Sequence, residues 1–256
     1  PYIRQAPAAI EVNYRMAYVG TVSVVDVDGR VLETRRYGAP ASEHAYGMVA
    51  RMQQDVLHLR GQRPSLPLLI VQDGAVEMWK LARSVIAQAL RFGEKASEAI
   101  DRHHLLERLS DALKLVNTAH SVRASQLAAW NAALDTDDAA IDTIEVAVRA
   151  MRDAHRGTVR TKLYDHLTYI ENNKDRMRYA ALRRAGLPVG SGPTEGACKS
   201  LVMIRAKGCG QRWHDDGIES VLELRALEMS GRLPAMFVEL RRHSYDREVT
   251  AIRAAA

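Results

Sequence analysis

The sequence predicts an α/β protein whose sheet-forming part is interrupted by an all-helical segment. A β-branched run surrounds an Asp-Gly turn signal in "VSVVDVDGRV", which predicts a hairpin between positions 16 and 38. The continuous apolar run "LPLLIV" ends at "QDG", which is typical of a short strand buried on both faces. From about position 105 to 173 only helical periodicity is present, before the chain returns to a glycine-rich stretch around Glu195.

These patterns divide the chain into five segments. Residues 1–15 contain two prolines and little periodicity, so we expect a connector there. Residues 16–104 and 176–232 are predicted to form two parts of one α/β core, and Ser42 is a plausible N-cap of its first helix. Residues 105–175 are the all-helical insertion, and residues 233–256 form a helical tail.

Two apolar stripes in the insertion are expected to form its core. Their members repeat at three and four residues, which is the spacing of one helix face. They are Ile141, Ile144, Val148 and Met151 in one stripe, and Val159, Leu163, Leu167 and Ile170 in the other.

The composition is that of a globular protein with an anionic partner rather than a membrane protein. No run approaches the roughly 20 apolar residues that span a bilayer, so we expect no membrane association. Only two cysteines are present among 256 residues, which favours a reducing cytoplasm over a disulfide framework.

The net charge of +5 is unevenly distributed along the chain. This clustering indicates either a solvated basic face or a surface that neutralises nucleic-acid phosphates. One third of the sequence contains Arg160, Lys162, Lys174, Arg176, Arg178, Arg183, Arg184, Lys199, Arg205, Lys207 and Arg212.

Two carboxylates stand at positions that suit metal chemistry. Asp73 follows the apolar strand, where open α/β sheets gather ligands, and Glu195 lies among glycines at a helix entry. Converging beside a basic surface, they would suit Mg²⁺, which takes a few carboxylates and completes its shell with water and phosphate oxygens. The alternatives are an ordinary Asp-Gly turn and a glutamate that favours the helix dipole. We expect the glycines to let the backbone turn sharply and to let phosphate and metal approach.

Two further motifs give weaker support for a chemical function. "GSGPTEG" before a helix could cradle a phosphate, but it lacks the Lys-Ser/Thr ending of a P-loop, and Pro193 removes one N–H donor. Asp101, His103 and His104 lie together, yet no residue at zinc-like spacing supports a metal site, so a structural hydrogen bond to a carboxylate is favoured.

Several stretches together resemble the DDE transposases of bacterial insertion sequences of the ISKra type. In chain order they are "AYVGTVSVVDVDG", "VQDGAVEMW", "AIDRHHLLERL", "RMRYAALRRAGLPVGSGPTEGACKSLV" and "KGCGQRWHDDGIESVLELRAL". The likeness runs from Tyr14 to about Leu233, and its most specific part is "GLPVGSGPTEGACK" followed by "RW".

The resemblance implies a ribonuclease-H-like core interrupted by an all-helical insertion. It implies that Asp73 is the second catalytic acid and Glu195 the third, both as ligands of Mg²⁺ or Mn²⁺. Asp101 and His104 match a D-x-x-H element that lies near the active site in this group. The basic helix would face the DNA, through Lys199, Arg205, Lys207, Arg212 and the neighbouring Trp213.

The chain departs from the family pattern in its first strands. A ribonuclease-H-like sheet begins with three antiparallel strands, the first of which holds the first acid, but only two strands are predicted here before Ser42. Asp26 and Asp28 fall at the hairpin tip, a poor place for a ligand that must meet Asp73. We therefore expect the first strand and its acid upstream of Pro1, so that the isolated chain would lack one of three acids.

The expected function is metal-dependent phosphoryl transfer on double-stranded DNA, with cleavage at transposon ends and transfer of the 3′-hydroxyl to a target strand. The alternative is a transposase remnant that binds DNA without catalysis. The resemblance also implies a homo-oligomer assembled on DNA in the bacterial cytoplasm.

Overall fold

The computed structural model describes residues 2–4, 14–40, 44–116, 119–207 and 213–255, and shows a mixed α/β protein. The chain forms two compact units. The first contains residues 1–24, 33–56 and 192–256, and the second contains residues 25–32 and 57–191. The α/β class predicted from the sequence is confirmed.

Five strands and eleven α-helices are found in the described residues. The strands are β1 (Tyr2–Arg4), β2 (Tyr14–Val25), β3 (Val31–Pro40), β4 (Leu69–Gln72) and β5 (Ser97–Ile100). The helices up to the end of the predicted insertion are α1 (His44–Gln62), α2 (Val76–Ile86), α3 (Arg102–Leu115), α4 (His120–Thr136), α5 (Ala140–Ala154) and α6 (Gly157–Asn173). They are followed by α7 (Tyr179–Arg184), α8 (Gly192–Ala197), α9 (Ile204–Ala206), α10 (Asp215–Met229) and α11 (Leu233–Ala255).

A three-stranded sheet has the order β1-β2-β3. The predicted hairpin is confirmed, because β2 and β3 are neighbours joined by the turn at 26–30. The Asp26 carboxylate shapes this turn by accepting hydrogen bonds from the backbone N–H groups of Asp28 at 2.9 Å and Arg30 at 2.8 Å. Gly29 has a φ of 77°, a conformation that glycine adopts without steric cost.

The prediction of only two strands before position 42 was wrong. Tyr2–Arg4, within the expected connector, forms β1 and pairs antiparallel with β2, so that Ile3 lies opposite Arg15. Three residues are too few to show an alternating pattern, and this strand exists through its pairing with a distant partner. None of its residues is an acid. The predicted N-cap Ser42 lies outside the described residues.

The core of the first unit joins β2 to the helices near Glu195. Apolar side chains of the strand pack against one face of the α8–α9 region and against α10. This cluster consists of Ala17, Val19, Ala197, Leu201, Val202, Ala206, Ile218, Leu222 and Ala226.

A buried polar cluster stabilises the same unit around Asp55, which is only 8% exposed. Its carboxylate accepts hydrogen bonds from Tyr37 Oη at 2.5 Å and from Arg35 and Arg232, each at 2.6 Å. Burial acts to raise the pKa of Asp55, but the hydrogen bond from Tyr37 and the charges of Arg232 and Arg35 outweigh it, so the pKa is lowered. Asp55 therefore ties α1 to β3 and to the residue before α11.

The second unit contains a parallel β4–β5 pair together with the helices α2 to α7. Helix α5 packs along α6, and the two predicted stripes supply their contact. The core prediction is confirmed for six of its eight residues, because Ile141, Ile144, Val148, Leu163, Leu167 and Ile170 are at most 1% exposed. Met151 and Val159 are only partly buried. Residues 16–104, which were predicted to form the first part of the core, are divided between the two compact units.

The described helices are not suited to cross a membrane. Within the ranges that the structure describes, no helix combines the length and the apolar character that a bilayer span requires.

Candidate active site

Asp73 and Asp101 lie at the same edge of the β4–β5 strand pair. The strands run parallel with Gln72 opposite Ile100, so Asp73 and Asp101 each follow a carboxyl end. The backbone N–H of Asp101 donates to Gln72 O at 2.8 Å, which closes the pairing at this edge. The carboxyl edge of parallel strands is where α/β folds place ligands, as the sequence predicted for Asp73.

The Asp73 side chain is exposed and is held in a defined turn. Its Oδ1 accepts a hydrogen bond from the Ala75 backbone N–H at 3.1 Å, an Asx-type turn that orients the carboxylate. Gly74 supplies a φ of 102°, which L side chains rarely adopt. Asp73 forms no ion pair with another residue of the described ranges, so its carboxylate can take a ligand from solvent.

Tyr169 of α6 supports this turn from the helical segment. Its hydroxyl donates to the Asp73 carbonyl oxygen at 2.7 Å, and the Arg108 guanidinium lies 3.9 Å from the centre of its ring. Burial raises the pKa of Tyr169 to about 12, so the hydroxyl stays protonated and can donate at neutral pH. Sequence reasoning missed Tyr169 and Arg108, because no local pattern links Asp73 to a tyrosine 96 positions away.

Gly74→Ala is expected to destabilise the protein more than the same change at another glycine with positive φ. A Cβ at Gly74 would lie 2.9 Å from Tyr169 Cε2, so the ring must move, in addition to the backbone strain. We expect a loss of about 2–3 kcal/mol in the free energy of unfolding, measured by urea denaturation. Gly29→Ala is the matched control, since Gly29 has a φ of 77° and open space around its Cβ, and should cost about 1 kcal/mol. Equal losses for both variants would contradict the steric role of Tyr169.

Asp101 is buried, and its carboxylate accepts hydrogen bonds that stabilise the fold. It is 1% exposed and caps α3, accepting from the His103 backbone N–H at 2.6 Å. Its second oxygen accepts from the Ser191 backbone N–H at 2.5 Å and from the Ser191 hydroxyl. Burial acts to raise the pKa of Asp101, but the hydrogen bonds from Ser191 and His103 and the nearby His104 lower it overall. Both oxygens are already used, which leaves little capacity for a metal.

His104 lies in the first turn of α3, close to the sheet edge. Its Nδ1 is 3.3 Å from Glu107 Oε2, and its side chain is 38% exposed. His103 also approaches Glu107, with 3.3 Å between Nε2 and Oε1. Both histidines thus lie near the Glu107 carboxylate, and the hydrogen bond expected for His104 stays a prediction.

Glu195 lies on the exposed side of α8, in the first unit. The helix is fixed by the burial of Ala197 and Leu201 and by a 2.8 Å hydrogen bond between the hydroxyls of Thr194 and Thr21 of β2. Cys198–Met203 continue it as a π-helical turn, a feature found frequently at functional sites. Glu195 forms no ion pair with another described residue.

The glycines around Glu195 do not use the left-handed backbone conformation that glycine favours. Gly190, Gly192 and Gly196 are absent from the positions with left-handed φ. A Cβ at Gly192 or Gly196 would meet nothing within 4 Å, so these residues leave open space beside Glu195. The expected access for phosphate and metal is compatible with this geometry, and the sharp turn stays a prediction.

The same stretch is poorly suited to cradle a phosphate. The Ser191 N–H already donates to Asp101, and Pro193 has no N–H. Two of the donors that such a loop would aim at an anion are therefore missing.

The structure separates the basic residues into two groups. Those between positions 160 and 184 largely have acidic partners, as in the pairs Arg160–Asp153, Lys174–Glu145, Arg176–Glu98, Arg178–Asp142, Arg183–Asp135 and Arg184–Asp138. Lys199, Arg205 and Lys207 are exposed and form no ion pair with the rest of the described chain. The segment that follows Glu195 therefore presents three cations that no described acid neutralises.

Arg212 and Trp213 are the remaining two residues that the sequence assigned to DNA binding. Arg212 lies outside the described residues. Trp213 is partly buried and packs against the cluster that contains Ala197 and Leu201. Its ring is therefore part of the core of the first unit.

Each of the two candidate acids, considered within its own compact unit, fits Mg²⁺ only in part. Asp73 and Glu195 are exposed and offer carboxylate oxygens, the donors that Mg²⁺ prefers, and one or two carboxylates are sufficient when phosphates complete the shell. In the part of the chain that is described, no three His, Cys, Asp or Glu side chains are grouped so that they could hold a metal. A closed, all-protein metal site is therefore not present among these residues.

A cavity of about 700 Å³ lies elsewhere in the second unit. Arg83 and Arg176 line it, but both donate to Glu98, at 2.6 and 2.7 Å, and Glu94 lies on its wall as well. The positive charges are neutralised by these acids, so the cavity does not define an anion site.

Comparison with known proteins gives no relative for this chain: no family model, no curated protein and no solved structure matches it.

Proposed function

We propose that this chain is the catalytic region of a DDE-type DNA transposase, a polynucleotidyl transferase of a mobile insertion sequence with a ribonuclease-H-like core. The main support is the exposed Asp73 carboxylate, oriented by Ala75 at the carboxyl edge of a parallel strand pair and braced by Tyr169. The exposed Glu195 and the cations that follow it on the same segment also agree with this function.

In this proposal Asp73 and Glu195 hold Mg²⁺ or Mn²⁺. When bound, such an ion supplies Lewis-acid stabilisation of charge on phosphate oxygens, and it offsets the repulsion between carboxylates and DNA. Lys199, Arg205 and Lys207 neutralise backbone phosphates and hold the strand. Asp101 takes no ligand, since its oxygens accept from His103 and Ser191.

The reaction consists of two displacements at phosphorus. Water attacks a phosphate at the transposon end, the bond to the 3′-oxygen breaks, and the 3′-hydroxyl is released. That hydroxyl then attacks a target phosphate and displaces another 3′-oxygen, so one phosphodiester is exchanged for another. Positioning and electrostatic stabilisation are sufficient for this chemistry, and no covalent enzyme intermediate is needed. Assembly as a homo-oligomer on paired DNA ends, in the bacterial cytoplasm, belongs to the same proposal.

The test is metal-dependent nicking of DNA that contains the ends of the element. The complete protein should nick this DNA in Mg²⁺ or Mn²⁺ and lose the activity in a chelator. Salt-sensitive DNA binding without cleavage in either metal would instead favour the alternative, a non-catalytic DNA-binding remnant. A chain that neither binds nor cleaves DNA would contradict both.

DNA binding should depend on the cations that lack acidic partners. Replacing Lys199, Arg205 and Lys207 together with Gln removes three phosphate contacts, because all three are exposed. The slope of log K against log salt should become less negative by about 2–3, with a loss of affinity on every DNA sequence. Fluorescence anisotropy with labelled DNA at several salt concentrations measures both quantities.

The matched control removes the same charge from paired residues. Arg160, Arg183 and Arg184 lie near Asp153, Asp135 and Asp138 respectively, so their replacement with Gln should change the slope little. If the salt dependence of DNA binding became weaker by the same amount in both triple variants, binding would depend on net charge alone.

A further inference from the structure

The turn that presents Asp73 is held by side chains from two helices of the second unit. The Asp73 Oδ1 accepts one hydrogen bond, from the Ala75 N–H at 3.1 Å. The carbonyl oxygen of Asp73 is held separately, by the Tyr169 hydroxyl of α6 at 2.7 Å. The carboxylate and the peptide of one residue are thus fixed by different partners.

We infer that Tyr169 is a positioning residue for Asp73, with its hydroxyl anchoring the peptide of the turn and its ring setting the space beside Gly74. This inference rests on the proposed function, since it assigns to the all-helical segment a role in presenting a catalytic carboxylate.

The ring of Tyr169 explains why the turn contains a glycine. A Cβ at Gly74 would lie 2.9 Å from Tyr169 Cε2, 3.2 Å from its Oη and 3.3 Å from Ile100 Cδ1. Tyrosine and turn are therefore packed against each other, so the turn cannot rotate toward α6. Its φ of 102° is accessible to glycine and strained for other residues.

Arg108 contacts the face of the ring. Its guanidinium lies 3.9 Å from the ring centre, within the range of a cation–π contact, and it extends from α3. The ring thus has Gly74 near its Cε2 edge and a cation over its face, while its hydroxyl donates to the Asp73 carbonyl. Arg108 acts on Asp73 only through Tyr169.

Tyr169→Phe removes the anchoring hydroxyl and keeps the ring. We expect hydrogen exchange of the Ala75 amide, which reports closure of the turn, to become about fivefold faster, as for the loss of one net hydrogen bond. The dissociation constant for Mn²⁺, measured by calorimetry on the full chain, should rise by a similar factor. In the nicking assay kcat should fall while KM for DNA stays constant, because Tyr169 orients Asp73 without holding the strand.

Tyr164→Phe is the matched control. Tyr164 lies on the same helix and is 54% exposed, so the loss of its hydroxyl should change neither the Ala75 exchange rate nor the affinity for Mn²⁺. Amides of the buried α5–α6 contact, such as Ile144 and Leu167, separate a local effect from general destabilisation.

The outcomes distinguish this inference from the proposed function. Unchanged exchange at Ala75, acceleration shared equally with Ile144 and Leu167, or faster exchange without weaker Mn²⁺ binding would each overturn the positioning role. A complete wild-type protein that neither binds Mn²⁺ nor nicks DNA would overturn the proposed function instead, and exchange at Ala75 would still decide whether Tyr169 holds the turn.

Discussion

Asp73→Asn should reduce metal-dependent DNA nicking by about a thousandfold while leaving the fold intact. Asparagine retains the side-chain oxygen that accepts from the Ala75 N–H, so the turn keeps its hydrogen bond. Because the side chain is exposed, the change should alter the free energy of unfolding by less than about 0.5 kcal/mol. What is lost is the negative charge that, in the proposed function, binds the metal.

Glu195→Gln should have an effect of the same size. The α8 segment is held by Ala197, Leu201 and the Thr194–Thr21 hydrogen bond, none of which involves the Glu195 carboxylate. If both acids serve one reaction, the double variant should be no slower than either single variant, because residues that act as a unit are not additive. Single-turnover nicking rates of the three variants measure this directly.

Asp28→Asn is the control for both changes. Asp28 is an exposed carboxylate at the hairpin tip, where the sequence made a ligand improbable, and its loss changes the net charge equally. Nicking by this variant should match the wild type. A comparable loss in all three variants would show that overall charge, rather than metal binding at Asp73 and Glu195, controls the reaction.

Local patterns predicted the elements of the fold well. The Asp-Gly turn signal at positions 26–29 located the hairpin, and the stripe from Ile141 to Val148 located a buried helix face. These signals work because turn geometry and helical periodicity are expressed within a few residues. Strand β1 was missed because a segment of three residues becomes a strand only through pairing with β2.

The candidate site was only partly predictable. Asp73 became a candidate because a carboxylate after an apolar run is a local signal, although in β4 only Ile70 is buried, so the expected burial on both faces was wrong. The role of Tyr169 depends on a contact across 96 positions, and that of Asp101 depends on Ser191, 90 positions away. Neither contact produces a recognisable pattern in the residues that are adjacent in sequence. In the same way, a count of cations could not show that Arg178 and Arg184 have acidic partners while Lys199 and Arg205 lack them.

Asp101→Ala should be the most destabilising single change at the sheet edge. The carboxylate accepts three hydrogen bonds in a position that is 1% exposed, from the His103 N–H and from the N–H and hydroxyl of Ser191. Its loss leaves buried donors unsatisfied and removes the cap of α3, which together cost about 3–4 kcal/mol. Urea denaturation should show this decrease, whereas Asp111→Ala on the exposed side of the same helix should cost less than about 0.5 kcal/mol.

The pH dependence of this difference identifies the charged form of Asp101 as the source of stability. The folded protein holds the pKa of Asp101 below its usual range, because the hydrogen bonds from Ser191 and His103 outweigh the effect of burial. A lowered pKa stabilises the fold above the pKa of the unfolded chain, about 4, and this contribution disappears as the pH falls through the folded value. The gap between wild type and Asp101→Ala should therefore be constant from about pH 5 to 7 and become smaller below about pH 4. A gap that stays the same at low pH would show that Asp101 acts as a neutral hydrogen-bonding group.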